Sequence, residues 1–256
     1  MTYNILLMKN TEKSYSIILP TFNEVGHIKK LILEIYEIFE SKNLLFEIII
    51  ADDYSTDGTI DIIKDLEKRN KNIFSIIRKN KKKSLVSSIN DGINFSKYEN
   101  IIWMDADYSH PPIYLKNFTD ENIENYDVVV FSRFLNNSER YFKNKKIKPK
   151  IIDKLSIYLN KICRYFLFKS FTDYSSGYIC IKKSVLKDYK LKGYYGDYFI
   201  RLIVHCYNNK AKIIELPYVE LDRQTGDSKT TQNKLDFIIK CSNYLYAILE
   251  SFIKKK

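Results

Sequence analysis

Short apolar runs alternate with amphipathic stretches through the first half of the chain. The runs predict five strands, at residues 15–20, 46–51, 73–77, 101–104 and 127–131. Between them, apolar residues at helical spacing predict helices over 28–39, from 59 onward and over 84–95. Because these strands are continuously apolar and are separated by helices, we expect an α/β fold, with a mostly parallel sheet and helices on both faces.

Two of the predicted helices are preceded by polar side chains that suit an N-cap. Asn23 stands before the first helical stripe, and Glu24 falls in the expected first turn. Asp57 or Thr59 is expected to cap the second helix in the same way.

The pattern changes from about residue 136. A basic, poorly periodic run between Lys143 and Lys150 predicts a loop, and a mixed helix is expected over 151–168. Strands are predicted at 178–181 and 213–216. The chain closes with an apolar helical stripe from Leu235 to Ile253 and three lysines. We expect a single domain over 1–256, with sections at about 14–135 and 136–230 and a C-terminal amphipathic helix at 231–256.

Charge and cysteine content narrow the class of protein. A net charge of +11 and a pI near 9.2 favour anionic partners such as nucleic acid, acidic lipid or a phosphorylated substrate. The aromatic residues are not interleaved with the Lys/Arg runs and no nucleic-acid-binding motif is present, so we expect no nucleic-acid partner. Four widely spaced cysteines fit neither a zinc site nor a disulfide scaffold, which favours a reducing compartment.

The apolar segments bear on localisation. No stretch approaches the roughly 18 continuous apolar residues of a spanning helix, and the first residues lack the apolar core of a secretion signal. We therefore expect a cytoplasmic protein. The final helix and the lysine runs fit peripheral attachment to the cytoplasmic face of a membrane. A helix docked on the domain, with a solvated tail, fits them equally well.

Polar clusters follow three of the predicted strands. They are the segment 20–24, the segment 52–59 and the triplet Asp105-Ala106-Asp107. Carboxylates one residue apart at a strand end suit a hard divalent cation, although a lone D-x-D pair is common in sequences. Three aspartates within 52–57 repel one another, so a ligand or cation is expected to compensate their charge. In a parallel sheet all three clusters meet at one edge, which favours a ligand site there.

These segments resemble the family 2 glycosyltransferases, and most closely the dolichol- or polyprenyl-phosphate mannosyltransferase branch. The resemblance covers about residues 15–229. The segments that carry it are Ile18-Leu19-Pro20-Thr21-Phe22-Asn23-Glu24, Asp52-Asp53-Tyr54-Ser55-Thr56-Asp57-Gly58-Thr59, Met104-Asp105-Ala106-Asp107-Tyr108-Ser109-His110-Pro111, Ser132-Arg133, Ser175-Ser176-Gly177 and Arg223-x-x-Gly226-x-Ser228-Lys229.

The resemblance implies a GT-A-type, Rossmann-like fold with a nucleotide-sugar-binding half (14–135) and an acceptor half (136–230). It implies Mg²⁺ or Mn²⁺ held by Asp105 and Asp107 against the donor diphosphate, with Ser109 as a further oxygen candidate. The implied donor-binding residues are Pro20, Phe22, Glu24, Asp52, Asp53, Lys82 and Asp105. The implied catalytic residues are Asp107, Arg133, Asp197, Arg223 and Lys229, among which the two arginines and Lys229 would bind phosphates.

The segment after the third strand departs from the family pattern. The family often has a glycine-rich K-x-G-L-G stretch after the third strand, where this chain has Lys82-Lys83-Ser84-Leu85-Val86. Ser84 and Val86 replace the glycines, which weakens the expectation of close backbone approach to a ligand at that point.

The resemblance implies inverting transfer of a hexose from GDP-mannose or a UDP-hexose to a polyprenyl (dolichyl or undecaprenyl) phosphate. The alternative is transfer to a hydroxyl group of a surface polysaccharide or glycolipid. A phosphate acceptor is already ionised near neutral pH, whereas a hydroxyl needs a carboxylate base, for which Asp197 is the candidate. A noncatalytic nucleotide-sugar-binding relative is less expected, because Asp105 and Asp107 are both present.

Overall fold

The computed structural model describes residues 13–135, 151–221 and 234–256. Within them, seven strands form one sheet in the order β3-β2-β1-β4-β6-β5-β7. Their bounds are β1 Ser14–Thr21, β2 Leu45–Asp52, β3 Ile73–Ile77, β4 Asn100–Trp103, β5 Val128–Ser132, β6 Ile179–Lys182 and β7 Ile213–Pro217. Strand β6 runs antiparallel to β4 and β5, and the other pairings are parallel. The predicted mostly parallel α/β sheet is confirmed.

Seven α-helices lie within the described residues. They are α1 Ile28–Glu40, α2 Thr59–Arg69, α3 Leu85–Phe95, α4 Leu115–Phe118, α5 Ile151–Phe166, α6 Tyr198–Asn208 and α7 Lys234–Lys254. Short 3-10 turns occupy Pro112–Tyr114, Glu121–Ile123 and Lys183–Leu186. In this described part of the chain, no helix is both long and apolar enough to cross a membrane.

Each face of the sheet is covered by its own apolar core. Alternate residues of β1 point to opposite faces, so that Ile17 and Leu19 pack with α1 and α2 while Ile18 packs with α3 and α6. The second core also receives Cys163 of α5 and Ile248 of α7. Helices on both faces, as expected, bury a sheet whose strands are apolar on both sides.

The structure corrects the expected cap of α1. Asn23 is not the N-cap: its backbone is left-handed, with φ at 54°, and its Oδ1 accepts a hydrogen bond from the Thr56 backbone N–H. The helix begins at Ile28, where Glu24 provides a backbone carbonyl rather than a first-turn side chain. At α2 the N-cap is Gly58, so neither Asp57 nor Thr59 occupies the cap position as expected. Asp57 instead lies one residue earlier and accepts hydrogen bonds from the backbone N–H and hydroxyl of Thr59, the first residue of the helix.

Helix α6 was not expected from the pattern. Its first seven residues, Tyr198 to Val204, are apolar except Arg201, and all but Arg201 are buried. A helix that is buried nearly all round lacks the polar face on which a periodicity argument depends. The predicted basic loop between Lys143 and Lys150 lies outside the described residues, and the proposed division into sections stays a prediction.

Gly92 marks a close approach of α3 to the sheet. A Cβ built on Gly92 would lie 2.5 Å from Cγ2 of Ile18 in β1. The helix can pack at this distance because residue 92 has no side chain, and β1 is the strand that carries the first polar cluster.

We expect Gly92→Ala to lower the free energy of unfolding by about 1–3 kcal/mol, because overpacking outweighs the gain of about 1 kcal/mol in helix propensity. Urea denaturation measures this. Asn94→Ala, at an exposed position of the same helix, is the control and should change stability by no more than about 0.5 kcal/mol. In an Ile18→Ala background the Gly92→Ala cost should vanish; an unchanged cost would contradict the proposed clash.

Candidate active site at the carboxyl edge of the sheet

The carboxyl ends of β2, β1 and β4 lie side by side at one edge of the sheet. Thr21 is paired with Asp52 in the register of β1 and β2, and the Asp53 backbone N–H donates to the Thr21 carbonyl at 2.8 Å. On the other side of β1, Ile18 is paired with Trp103, two residues before Asp105. The sheet order therefore confirms that the three polar clusters meet at one edge.

The loops that follow β1 and β2 are joined by hydrogen bonds. Backbone N–H groups of the first loop donate to side chains of the second: Asn23 to Ser55 Oγ at 2.8 Å, Glu24 to Thr59 Oγ1 at 2.9 Å, and Val25 to Asp57 Oδ2 at 3.1 Å. In this arrangement the two loops form one rigid polar surface.

Three of the predicted donor-binding residues lie at the end of β1 and in the loop that follows it. Pro20 and Phe22 are half-buried, and the Lys83 ammonium lies 3.6 Å from the centre of the Phe22 ring. The Glu24 carboxylate is buried and lies 3.0 Å from Nε2 of His27. The ring and both loops thus have defined positions, and a role in donor binding stays a prediction for all three residues.

The acidic cluster after β2 is compensated by the protein's own donors. Asp52 is fully buried and accepts hydrogen bonds from the backbone N–H and hydroxyl of Ser55, at 2.8 and 2.6 Å. Burial raises the pKa of Asp52, although the Ser55 hydrogen bonds oppose that rise. The charge of the Asp57 carboxylate is compensated by hydrogen bonds from the backbone N–H groups of Thr59 and Val25. The expectation that these aspartates require a ligand or cation is therefore corrected: hydrogen bonds and an arginine satisfy them.

That arginine is Arg78, which was not predicted from the sequence as part of the site. It follows β3 directly, it is buried, and it forms ion pairs with Asp53 and with Asp91 of α3. The other Asp53 oxygen accepts the Ser84 backbone N–H at 2.8 Å, just before α3 begins. A signal was available, since a basic residue at the end of the third strand had to lie at the same edge. Lys82, a predicted donor-binding residue, lies exposed in the loop between β3 and α3.

The Asp105-Ala106-Asp107 triplet forms a tight turn after β4. Both aspartates are half-buried, whereas Ala106 and Tyr108 are buried. Oδ1 of Asp107 accepts the backbone N–H and hydroxyl of Ser109, at 3.0 and 2.6 Å. The Asp105 backbone N–H donates to Nδ1 of His110, at 3.0 Å. Since Nδ1 accepts there, the neutral His110 ring carries its proton on Nε2.

The carboxylates of Asp105 and Asp107 can bind a hard divalent cation only if a ligand also helps to hold it. Among the described residues, no group of three or more His, Cys, Asp or Glu could hold a metal ion. Mg²⁺ is commonly bound through one or two carboxylates together with substrate phosphates and water. Asp105 and Asp107 meet that requirement, so they could hold Mg²⁺ or Mn²⁺ jointly with a diphosphate.

At the end of β5, Arg133 is held by a buried carboxylate. Arg133 follows β5, and its Nε and Nη2 donate to the two oxygens of the fully buried Asp173, both at 2.9 Å. It also donates to Ser175 at 2.8 Å and to Glu220 at 3.3 Å. Burial opposes ionisation of Asp173, but the guanidinium and the hydrogen bonds outweigh it and keep the pKa of Asp173 below its ordinary value.

Asp197 lies at the start of α6, with both carboxylate oxygens engaged. Oδ1 accepts the backbone N–H groups of Tyr194 and Tyr195, at 2.9 and 2.7 Å, and Oδ2 lies 2.6 Å from Arg201. The next residue, Tyr198, accepts a hydrogen bond from Trp103 Nε1 at 2.9 Å, which ties α6 to the end of β4. Asp197 therefore lies beside the edge, and its role as a base stays a prediction. Arg223 and Lys229 lie outside the described residues.

Glu215 of β7 positions the turn that carries Asp173. Its carboxylate accepts hydrogen bonds from the backbone N–H groups of Thr172 and Asp173, at 2.8 and 3.0 Å, and from the Thr172 hydroxyl. Burial raises the pKa of Glu215 to about 7, and the nearby Asp173 charge adds to the rise. No local sequence pattern indicated Glu215, because its partners lie more than 40 residues away along the chain.

Comparisons with known proteins point to one family. A model described as "Glycosyl transferase family 2" matches residues 16–190, more than half of the 256 residues. A dolichol-phosphate mannosyltransferase of Pyrococcus furiosus is 25% identical over 84% of this chain and 58% of its own length. An undecaprenyl-phosphate 4-deoxy-4-formamido-L-arabinose transferase of Edwardsiella ictaluri is 24% identical over 86% and 64%. The chain thus spans less than two thirds of either relative.

Similar proteins also include an uncharacterized protein of Methanocaldococcus jannaschii, 29% identical over 80% of this chain and 86% of its own length. Among solved structures, glucosyl-3-phosphoglycerate synthase of Mycobacterium tuberculosis in complex with UDP has a TM-score of 0.68, at 14% identity, over 95% of this chain and 81% of that chain. Other structures of that synthase contain Mn²⁺ with UDP-glucose, or Mg²⁺ with UDP. At this identity the likeness shows a shared fold.

The raised pKa of Glu215 predicts a pH dependence of stability. The carboxyl keeps its proton in the folded protein up to about pH 7, whereas in the unfolded chain it ionises near pH 4.3. Between these values the folded state binds more protons, so the free energy of unfolding should fall as the pH rises, by roughly 1–3 kcal/mol in all.

Urea denaturation at pH 5 and pH 8 tests this prediction. In Glu215→Gln, which cannot titrate, that decrease should be absent. Glu37→Gln, at an exposed position of α1, is the control and should keep the wild-type difference. Equal pH dependence in the wild type and Glu215→Gln would contradict the assignment.

Proposed function

This chain belongs to glycosyltransferase family 2 and has the GT-A fold of that family, and from this premise we propose that it transfers a hexose from a nucleoside-diphosphate sugar to a polyprenyl phosphate. The observation that carries the proposal is the convergence of three strand ends, with Asp105 and Asp107 at the end of β4 beside the joined loops of β1 and β2. Two relatives that act on dolichol or undecaprenyl phosphate, by their names, support the choice of acceptor.

We assign the donor to the surface formed by the loops after β1, β2 and β4. Glu24 and Asp52 would orient the base and ribose, and Asp53 would do so from a position fixed by Arg78. Pro20, Phe22 and Lys82 would border the same pocket. A Mg²⁺ or Mn²⁺ ion held by Asp105 and Asp107 would neutralise the diphosphate and stabilise it as a leaving group. The two hydrogen bonds from Ser109 fix the orientation of the Asp107 carboxylate, which supports this proposal.

The acceptor phosphate would be bound on the side of β5. Arg133 is oriented by its two hydrogen bonds to Asp173, and its contact with Glu220, at 3.3 Å, is the longest of its ionic contacts. The Glu220 side chain is partly exposed, so an incoming phosphate would replace it at the guanidinium. Arg223 and Lys229 are proposed to complete the phosphate site.

Ionisation of the acceptor decides which groups the reaction needs. A phosphate monoester with a second pKa of about 6 already carries the attacking oxygen as an anion near neutral pH. Displacement at the anomeric carbon, with inversion, then needs no general base. The task of the protein is to bring two anions together, and the arginine and lysine side chains reduce their repulsion.

Transfer to a hydroxyl group is the second candidate function. The position of Asp197 favours it, because α6 starts beside the end of β4 through the Trp103–Tyr198 hydrogen bond. Asp197 would have to take up the hydroxyl proton. Its two oxygens already serve Tyr194, Tyr195 and Arg201, and this arrangement favours a structural role over that of a base.

Asp105→Asn and Asp107→Asn should each lower transfer activity by about 10²–10³-fold, because each removes a carboxylate that would hold the cation against the leaving diphosphate. Purified protein is assayed with radiolabelled GDP-mannose, UDP-glucose and UDP-GlcNAc and a short-chain polyprenyl phosphate. Asp188→Asn, at an exposed left-handed position that suits asparagine, is the control and should retain full activity.

A thermal-shift experiment tests donor binding without turnover. One donor should raise the melting temperature in the presence of Mn²⁺, and the shift should be lost in both aspartate variants. If no donor stabilised the wild type in a metal-dependent way, the proposed donor site would be wrong.

The effect of Asp197→Asn separates the two acceptors. With a polyprenyl phosphate acceptor, a folded Asp197→Asn variant should keep its rate within about tenfold, because no base is required. Circular dichroism checks folding, since the variant weakens the pair with Arg201. A much larger loss of rate in a folded variant, with unchanged donor binding, would favour the hydroxyl acceptor.

A further inference from the structure

Helix α7 turns its apolar side outward. Eight side chains between residues 238 and 253 are exposed, and seven of them are large and hydrophobic: Ile238, Ile239, Leu245, Tyr246, Leu249, Phe252 and Ile253. The eighth is Ser242. The buried side chains of the same stretch are Lys240, Ala247, Ile248 and Ser251. A surface helix of a protein surrounded by water has the opposite arrangement.

Helix α5 continues this apolar surface. Its exposed side chains include Leu155, Tyr158, Ile162, Tyr165 and Phe166, which lie three or four residues apart on one side of the helix except for the last. Phe166 meets Phe252 of α7 edge to face, with ring centroids 5.9 Å apart. We call these side chains, with those of α7 named above, the α5–α7 face. It holds 12 of the 21 exposed large hydrophobic side chains among the described residues.

Basic side chains border the α5–α7 face. Lys154, Lys161 and Arg164 are exposed on α5, and Lys254, Lys255 and Lys256 are exposed at the end of α7 and just beyond it. Among the side chains of these two helices that the structure describes, Glu250 is the one carboxylate, and it is paired with Arg201 and Lys254. A large apolar surface with a cationic border complements the interface of an anionic bilayer, where lysines meet lipid phosphates and tyrosines lie at headgroup level.

The inner sides of both helices contact the acceptor side of the candidate site. From α5, Asn160 Nδ2 donates to Ser175 Oγ at 3.1 Å, and the same oxygen accepts from Arg133 at 2.8 Å. From α7, the Lys240 ammonium lies 4.7 Å from the centre of the Tyr195 ring, within the turn that Asp197 holds. The helices that carry the apolar surface therefore also contact the groups that hold Arg133 and Asp197.

We propose that the α5–α7 face lies in the interfacial region of an anionic bilayer, with its aliphatic and aromatic side chains among the lipid chains and its lysines at the phosphates. The position would present the acceptor side of the site to molecules that are themselves embedded in that bilayer. The proposed lipid binding does not rest on the proposed function. The presentation of the site to a membrane-embedded acceptor does rest on it.

Cosedimentation of the full chain with vesicles tests the proposal. The protein should bind phosphatidylcholine vesicles that contain phosphatidylglycerol at least tenfold more tightly than vesicles of phosphatidylcholine alone, and added NaCl should weaken the binding. The double variant Leu245→Glu, Leu249→Glu should lose at least tenfold in binding, because two carboxylates would enter the apolar region.

The matched control is Leu33→Glu, Leu45→Glu. It makes the same change in charge at two exposed leucines, of which Leu33 lies on α1 and Leu45 begins β2. The control should bind like the wild type, and both variants should keep the wild-type melting temperature. Absence of vesicle binding by the wild type, or equal loss in both double variants, would overturn the proposal.

A second copy of the chain is the competing occupant of this face. If the wild type sedimented as a dimer without lipid and Leu245→Glu, Leu249→Glu as a monomer, dimerisation would explain the face and the proposal would be wrong. Activity on a short-chain, water-soluble polyprenyl phosphate without vesicles should be equal in the wild type and this variant. Vesicle binding without any transferase activity would leave the lipid-binding face in place and refute the proposed function instead.

Discussion

Parallel pairing of β1 with β2 on one side and with β4 on the other is the constraint on which the candidate site depends. It brings three carboxyl ends together, and there the backbone pairing stops and polar groups need other partners. The loops satisfy one another: backbone N–H groups after β1 donate to Ser55, Asp57 and Thr59 after β2. The edge is consequently one connected polar surface, which gives a ligand a preorganised place to bind.

Arginine–aspartate pairs extend this order along the edge. Arg78 holds Asp53, Arg133 holds Asp173, and Arg201 holds Asp197. Ion pairs that are removed from water add little net stability, whereas loss of one partner costs about 3–5 kcal/mol. Such pairs fix the position of loops more than they stabilise the fold. The first two join segments 25 and 40 residues apart, and thus couple the ends of β3 and β5 to neighbouring turns.

The sequence predicted most of the framework and less of the site. Strand β3 has the predicted bounds 73–77, and the other strands differ by one or two residues, since continuous apolar runs identify buried parallel strands. Helix α6 was missed because a helix buried nearly all round has no polar face. Asp173 and Glu215 were missed because their importance comes from partners 40 or more residues distant, Arg133 and Thr172, which no local pattern reveals.

The hydrogen bond between Trp103 and Tyr198 has a practical consequence. Trp103 is the only tryptophan of the sequence, it is 1% exposed, and it stands two residues before Asp105. Its indole joins β4 to the start of α6. Tryptophan fluorescence, excited selectively beside the 21 tyrosines, thus originates at a single point between β4 and α6, so that any movement of α6 against the sheet has an optical reporter that needs no label.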